Sequence, residues 1–224
     1  MDRNYYNEYW KERINEMEIN NNLNRSSLKR ITPIKSFLYR KKTLGKVLDV
    51  GCGDGTILYV LQKDYELEPY GIDISINAVN KAKERGIKAS VANLNEKIPF
   101  PNNYFNVIFC TDVLEHLFSP ENALQEIYRV SKEDAIIIFS IPNLGHLKNR
   151  IQFFWGKNIT EPPFQVKSHI RFWTKESFIK LLTENGFKIE KSTSIEGNAI
   201  LYKLWKNEGL FSNYMYIKAK KFIK

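Results

Sequence analysis

The sequence predicts an α/β fold, a doubly wound and mostly parallel seven-stranded sheet with helices on both faces and an antiparallel last strand. Three observations predict it. From residue 44 onward, short apolar runs alternate with helical stretches. The runs are almost continuously apolar, as strands covered on both faces must be. A glycine-rich turn, Gly51-Cys-Gly-Asp-Gly55, follows the first run and leads into a helix.

The elements follow in order. Residues 5–20 and 26–41 read as two helices, with an Asn-rich break from Asn20 to Asn24 between them. Lys46 to Val50 is a buried strand ending at glycines. Thr56 to Lys63 is a helix, and Pro69 to Asp73 a second strand. Ser75 caps a helix that runs to Arg85 and stops at Gly86. Lys88 to Ala92 and Phe105 to Cys110 are the third and fourth strands. Ser119 and Pro120 open a helix to Val130, because serine suits an N-cap and proline a first turn. Ala135 to Phe139 is the fifth strand. Residues 143–173 break the rhythm with Pro162-Pro163, several aromatics, a helix from Leu147 to Trp155 and two of the three histidines. Long insertions of this kind are often functional lids. Thr174 to Asn185 returns to helix, then Lys188 to Thr193 and Tyr214 to Ala219 give the last two strands. Right-handed crossovers put a ligand crevice at the carboxyl ends of the parallel strands.

Composition narrows the function classes. No apolar run reaches the roughly 18 to 20 residues of a membrane-spanning helix. The start, MDRNYYNEYWKER, has no apolar signal core, so a cytoplasmic protein is expected. Cys52 and Cys110 are too few for a disulfide framework and form no CxxC metal pair; they read as free thiols beside buried strands. Charge is uneven: residues 1–46 carry +6, 47–142 carry −6 and 143–224 carry +9. Basic flanks suit an anionic substrate, a nucleic acid or an anionic membrane surface, or simply form a solvated lysine-rich exterior.

The glycine turn selects among nucleotide ligands. A dinucleotide fingerprint reads GxGxxG. Here the spacing is Gly51-Cys-Gly53-Asp-Gly55, with Thr56 next. Asp49 before the turn and Asp54 inside it would repel a pyrophosphate at close range. They suit a ligand with an ammonium and a sulfonium, and S-adenosylmethionine is such a ligand. Asp73 ends the second strand, where a carboxylate can accept both ribose hydroxyls.

The segments KVLDVGCGDGTIL, GIDIS, ANLNEKIPFPNNYFNVIFCTDVLEHL and ALQEIYRVSKEDAIIIFSIPN resemble the Rossmann-like methyltransferase superfamily. The resemblance covers Leu44 to Asn143 closely and extends more loosely to Lys191. It implies a cap (1–43), a cofactor-binding core (44–142), an acceptor-side insertion (143–173) and a C-terminal helix with strands (174–224) in one domain. It also implies that Asp49 and the backbone of Gly51 and Gly53 hold the methionine portion of S-adenosylmethionine, with Thr111 beneath it and Gly55 among the cofactor-binding residues. Asp73 would take the ribose and Ile74 the adenine face. Asn93 and Leu94 stand where the family places an acid–apolar pair at the adenine edge, and an amide oxygen can still face the exocyclic amine. Arg30 matches an arginine that pairs with the cofactor carboxylate in some relatives; it also reads as a surface arginine. The chain departs from the family at Lys132-Glu-Asp-Ala135, where relatives carry a Pro-Gly-Gly turn.

The acceptor side stays open. Asp112-Val-Leu-Glu115-His116 resembles quinone-type O-methyltransferases, in which such an acid helps bind a divalent metal. Glu115-His116 also reads as a loop-ordering pair with no metal, the choice favoured here. His116, Glu115 and His169 are the catalytic candidates, with His116 as base or substrate contact; His146 reads as structural. Phe153, Phe154, Trp155, Phe164, Phe172 and Trp173 form either an apolar acceptor wall or core packing. The resulting expectation is methyl transfer to a small-molecule or lipid-linked acceptor at oxygen. Residues 141–157 also resemble MetW-like proteins, which implies an acyltransferase partner in methionine biosynthesis instead. RNA methylation is a third reading, opposed by the lack of an appended RNA-binding module and of an Asn/Asp-Pro-Pro-Tyr tetrapeptide after the fourth strand.

Overall fold

The computed structural model describes residues 2–19, 23, 25–156, 168–197 and 208–222. Most of the Asn-rich break, together with Pro162, Pro163, Phe164 and Lys167, lies outside the described residues. The strands are β1 (Thr43–Val50), β2 (Glu66–Asp73), β3 (Lys88–Val91), β4 (Phe105–Thr111), β5 (Ser131–Pro142), β6 (Phe187–Gly197) and β7 (Ser212–Lys221). The helices are α1 (Arg3–Ile19), α2 (Arg25–Phe37), α3 (Thr56–Leu61), α4 (Ile76–Glu84), α5 (Pro120–Val130), α6 (Leu147–Phe154), α7 (Lys175–Glu184) and α8 (Glu208–Phe211). A 3-10 turn, Leu114–His116, follows β4.

The strands form one sheet in the order β3-β2-β1-β4-β5-β7-β6. Strand β7 runs antiparallel to β5 and β6, and the remaining pairs are parallel. This is the doubly wound seven-stranded sheet that the alternating pattern predicts. The chain winds outward through β1, β2 and β3, then returns to the other side of β1 as β4. That reversal opens a crevice beyond the carboxyl ends of β1 and β4.

Period-two alternation divides the strand side chains between two cores. Leu48, Ile108, Ile137, Phe139 and Ile217 pack with α5 and α7 through Leu124, Ile127, Phe178 and Leu182. Val47, Phe109, Ile138 and Tyr216 pack on the opposite face with α2, α3 and α4 through Ile34, Leu38, Leu58 and Val79. Both faces are covered, which is why the strands read as unbroken apolar runs.

Local signals explain most boundaries. The Ser75 hydroxyl caps α4 by accepting from the Ala78 amide, and Thr174 caps α7 in a reciprocal box with Ser177. Two expectations need correction. Ser119 sits at the start of α5 without a side-chain cap bond, so Pro120 alone marks that start. The Lys132–Ala135 stretch is no free turn. It belongs to β5, whose pairing jumps from Phe105–Ser131 to Val107–Ile136 and leaves these residues bulged.

Candidate active site

The site begins where β1 ends. Gly51 has φ +72°, and its amide donates to the Ile72 carbonyl at 2.8 Å. A Cβ at Gly51 would lie 2.4 Å from the Val113 side chain. The backbone conformation and the close approach of Val113 both demand glycine there. Gly53 has φ +53° and lies under the Trp10 ring, which a Cβ would meet at 2.4 Å. Gly55 is different in kind. It precedes α3 and packs on Ala82 of α4 and on Ile87 just before β3, so it serves packing rather than the cavity wall.

The two aspartates of the turn have opposite surroundings. Asp54 is buried, pairs with Arg85 and accepts from the Thr56 hydroxyl at 2.8 Å. Its charge is already compensated, which corrects the expectation that it faces a cationic ligand. Asp49 is also buried, yet neither carboxylate oxygen has a hydrogen-bond partner. Burial pushes its carboxyl up to about 7; Arg30 opposes that rise, while Asp73 and Asp54 add to it. A buried carboxyl without partners either stays protonated, as this rise favours, or takes a cationic partner.

Asp73 accepts from the Gly53 and Ser75 amides, each at 2.9 Å. Burial pushes its carboxyl above the usual range, against these two amides. Its carboxylate can accept about four hydrogen bonds, so capacity for two hydroxyls remains.

A cavity of about 270 Å³ extends from this turn. Its lining includes Gly51, Asp73, Ile74 and Leu94 of the glycine-turn side, and Glu115, His116 and His169 of the side built on the 3-10 turn, with Arg30 in electrostatic reach of both. Asp49, Gly53, Gly55, Asn93 and Thr111 lie outside the lining. Asn93 turns away: its Oδ1 accepts from the Asn95 amide and its Nδ2 donates to Glu96. Thr111 is buried, and its carbonyl accepts from Arg30 at 3.3 Å. Arg30 is not a surface arginine. Its Nε lies 2.9 Å from Asp112, whose other oxygen accepts from the Ser140 hydroxyl.

The far end joins two segments that are distant in sequence. The Ile170 and Arg171 amides both donate to the Glu115 carbonyl, at 2.9 and 3.1 Å. This docks residues 168–171 against the 3-10 turn and brings the His169 ring to 4.6 Å from that of His116. Glu115 is buried, its oxygens lack hydrogen-bond partners, and His169 Nε2 is 3.9 Å away. Burial, then the nearby Asp112, pushes the Glu115 carboxyl well up. His116 Nδ1 lies 3.0 Å from the Ser168 carbonyl, and burial lowers its pKa. A carbonyl only accepts, so Nδ1 carries the hydrogen and Nε2 keeps its lone pair. His146 instead accepts from the Lys148 amide at the start of α6, a structural role. Both cysteines are buried with raised thiol pKa values, hence inert.

Of the aromatics that the sequence offers as an acceptor wall or as packing, Phe153, Phe154, Trp155, Phe172 and Trp173 do not line the cavity. Phe153, Phe154 and Trp155 project from α6 into solvent, Trp155 being 70% exposed, while Phe172 is exposed and Trp173 packs on Phe178. The cavity takes most of its aromatics from α1, Tyr5, Tyr6, Tyr9 and Trp10, with Tyr214 of β7 beside them. Helix α1 is fixed by Asn7, which accepts from the Ile76 amide and through its carbonyl from Asn77. Four aromatics in six residues of a polar helix were the available signal, since their spacing places them along one side.

The Methyltransferase domain family model matches residues 9–192. The chain is 33% identical over 173 residues to an uncharacterised protein of Methanocaldococcus jannaschii, covering 76% of this chain and 66% of that protein. It is 25% identical to the ubiquinone biosynthesis O-methyltransferase of Colwellia psychrerythraea, covering 76% and 72%. It spans 66, 40, 53 and 38% of the length of four curated relatives it matches. A solved methyltransferase of Thermotoga maritima, described as a possible histamine N-methyltransferase, superposes with TM-score 0.65 at 18% identity, covering 87% and 89%, and shares the fold. Family match, sheet order and glycine turn agree: the chain belongs to the S-adenosylmethionine-dependent methyltransferases.

Proposed function

We propose that the chain transfers a methyl group from S-adenosylmethionine to a small-molecule or lipid-linked acceptor, at oxygen. One observation carries this reading. A single cavity joins the glycine-turn end to a polar end made by Glu115, His116 and His169. The first end fits the cofactor: the Asp49 carboxylate is orphaned, and Gly51 and Asp73 line the cavity. Asp49 and Asp73 would meet its ammonium and ribose, and Ile74 and Leu94 would flank its adenine. Arg30 has five donors, more than Asp112 and Thr111 use, and would reach the carboxylate. The cofactor supplies a methyl group on a sulfonium that leaves readily.

The chain's own work is then alignment and proton removal. Holding acceptor and methyl in line can supply ~7 to 11 kcal/mol. A hydroxyl acceptor must also lose its proton, which suits the Glu115–His116–His169 end. The Colwellia relative, an O-methyltransferase by name, supports oxygen as the acceptor atom. The test is a transfer assay with labelled cofactor against small-molecule, lipid-extract and RNA pools. Label is expected in one of the first two, and label confined to RNA would overturn the acceptor assignment.

A second reading rests on the exposed Ile151, Phe153, Phe154 and Trp155 of α6. Those residues lie in the segment resembling MetW-like proteins, and an apolar exposed helix end suits a protein partner. Co-purification with an acyltransferase, with cofactor bound but no turnover, would favour it.

A further inference from the structure

We propose that Tyr6 is a positioning residue: from α1, which is seated on the glycine turn, it reaches across the cavity and holds the His116 imidazole in place. The sequence of α1 runs Tyr5-Tyr-Asn-Glu-Tyr-Trp10. In a helix, residues four apart share a side, one turn from each other. Tyr6 and Trp10 are such a pair, and they meet different parts of the site. Trp10 lies over Gly53, whereas the Tyr6 ring stands edge-on to His116, with centroids 6.0 Å apart and planes at 81°. Tyr5 and Tyr9 are exposed, and Tyr6 is half-buried between them.

The seat of α1 is on the cofactor side. Trp10 packs with Ala78 of α4 and with Ile14 in a small cluster separate from both sheet cores. Asn7 accepts from the Ile76 amide and, through its carbonyl, from the Asn77 side chain, each at 3.0 Å. Ile76 opens α4 just after Asp73. The place of Tyr6 is therefore set by the glycine turn and by α4, not by the loop that carries His116.

Tyr6 acts on His116 in two ways. Its ring packs against the imidazole edge-on, a favourable aromatic arrangement. Its hydroxyl is within hydrogen-bonding reach of the Ser168 side chain, and the Ser168 carbonyl takes the His116 Nδ1 hydrogen at 3.0 Å. The bond at Nδ1 selects the tautomer and leaves Nε2 as the nitrogen able to take a proton. Burial pushes the Tyr6 hydroxyl up to about 12, so Tyr6 keeps its own proton at neutral pH and works through His116. A shift of about 1 Å in such a group can cost about 100-fold in rate, which is why a residue of α1 matters to the acceptor end. What His116 does to an acceptor rests on the transfer reading above; that Tyr6 holds it does not.

The Ile170 and Arg171 amides keep residues 168–171 docked without help from Tyr6, so Tyr6 variants should fold. Nitrogen NMR of the full, cofactor-free chain at pH 8 reads the imidazole tautomers. The chain has three histidines, and His116→Gln identifies the His116 signals by their loss. The wild-type ring is expected in the Nδ1–H form alone. Tyr6→Ala should show at least about one third of the other tautomer, while Tyr6→Phe, which keeps the ring contact, stays near wild type. Methyl transfer to the acceptor pools should fall about 100-fold in Tyr6→Ala and less than about tenfold in Tyr6→Phe, with S-adenosylhomocysteine affinity within about threefold of wild type in both. Tyr6→Leu is the second variant if circular dichroism shows the alanine protein poorly folded. An unchanged His116 tautomer in the folded variant overturns the proposal. So does transfer equal to wild type, or a loss of cofactor-product affinity as large as the loss of transfer. No transfer to any pool by the wild-type chain removes the transfer reading alone, and the tautomer measurement then decides the role of Tyr6.

Discussion

The two ends of the cavity are assembled in different ways. At the glycine-turn end, Gly51, Asp73, Ile74 and Leu94 come from consecutive strand–turn–helix units, and sheet pairing puts them side by side. At the acceptor end, the 3-10 turn after β4, residues 168–171 of the insertion and Tyr6 of α1, whose ring lies 6.0 Å from that of His116, meet across the length of the chain. The first end is encoded by local pattern and the second by tertiary packing. A second contrast cuts across the two ends: the carboxylates of Asp49 and Glu115 are buried without hydrogen-bond partners, whereas Asp54 and Asp112 are buried or nearly so and paired.

The largest expected effect breaks the local end. Gly51→Ala forces a side chain into φ +72° and against Val113. We expect cofactor binding to fall below detection and thermal stability to drop by about 2 to 4 kcal/mol. Adding Val113→Ala should recover part of the stability, because it removes the 2.4 Å contact but not the backbone strain. Full recovery in the double variant would show that sterics alone set the glycine.

The next prediction sharpens the carboxylate contrast. Asp49 has its folded pKa raised to about 7 from 3.8. A raised folded pKa means stability present at low pH and lost as pH rises between about 4 and 7. Asp49→Asn should therefore stabilise the cofactor-free protein at pH 8, by at most ~4 kcal/mol, and flatten that pH dependence. Asp54→Asn should do the opposite, costing about 3 kcal/mol by leaving the Arg85 charge without its carboxylate, although its bonds to the Asp54 carbonyl and the Thr56 hydroxyl remain. Melting curves of both variants at pH 5 and pH 8 decide; like signs at pH 8 would contradict the contrast. The wild-type affinity for a cationic cofactor should also rise about tenfold from pH 6 to pH 8, as Asp49 ionises. Calorimetry across that range checks the sign.

The acceptor end should separate from the cofactor end in its kinetics. Glu115→Gln should cut methyl transfer by about 100-fold and change cofactor affinity less than threefold. Equal losses in both would mean that Glu115 belongs to the cofactor's contacts. The smallest effect is expected on α6. Phe154→Ser and Trp155→Ser remove exposed side chains, so stability should stay within about 0.5 kcal/mol and cofactor affinity should not move.

Much of the fold was legible because burial on both sheet faces leaves continuous apolar runs, and Ser75, Gly86, Thr174 and Gly186 mark helix ends by their own chemistry. The placement of Gly51 and Asp73 was legible for the same local reason. What was hidden depends on contacts between distant segments. Asp54 turns away because Arg85, on the far end of α4, reaches it. Asn93 turns away because Asn95 and Glu96 supply partners within the same turn. The α6 aromatics look like a wall in sequence, and only the docking of α6 through buried Asn149 shows that they face outward. The α1 aromatics carry an apolar signal, but nothing local tells where that helix lies.

The central claim is that the glycine-turn end holds S-adenosylmethionine through buried carboxylates. Calorimetric titration of the wild-type chain and of Asp73→Asn, which keeps an oxygen acceptor in the same turn, tests it most directly. The account predicts one cofactor per wild-type chain and an affinity about 10- to 100-fold weaker in the folded variant. Equal affinity in the two proteins, with the variant folded, would contradict it.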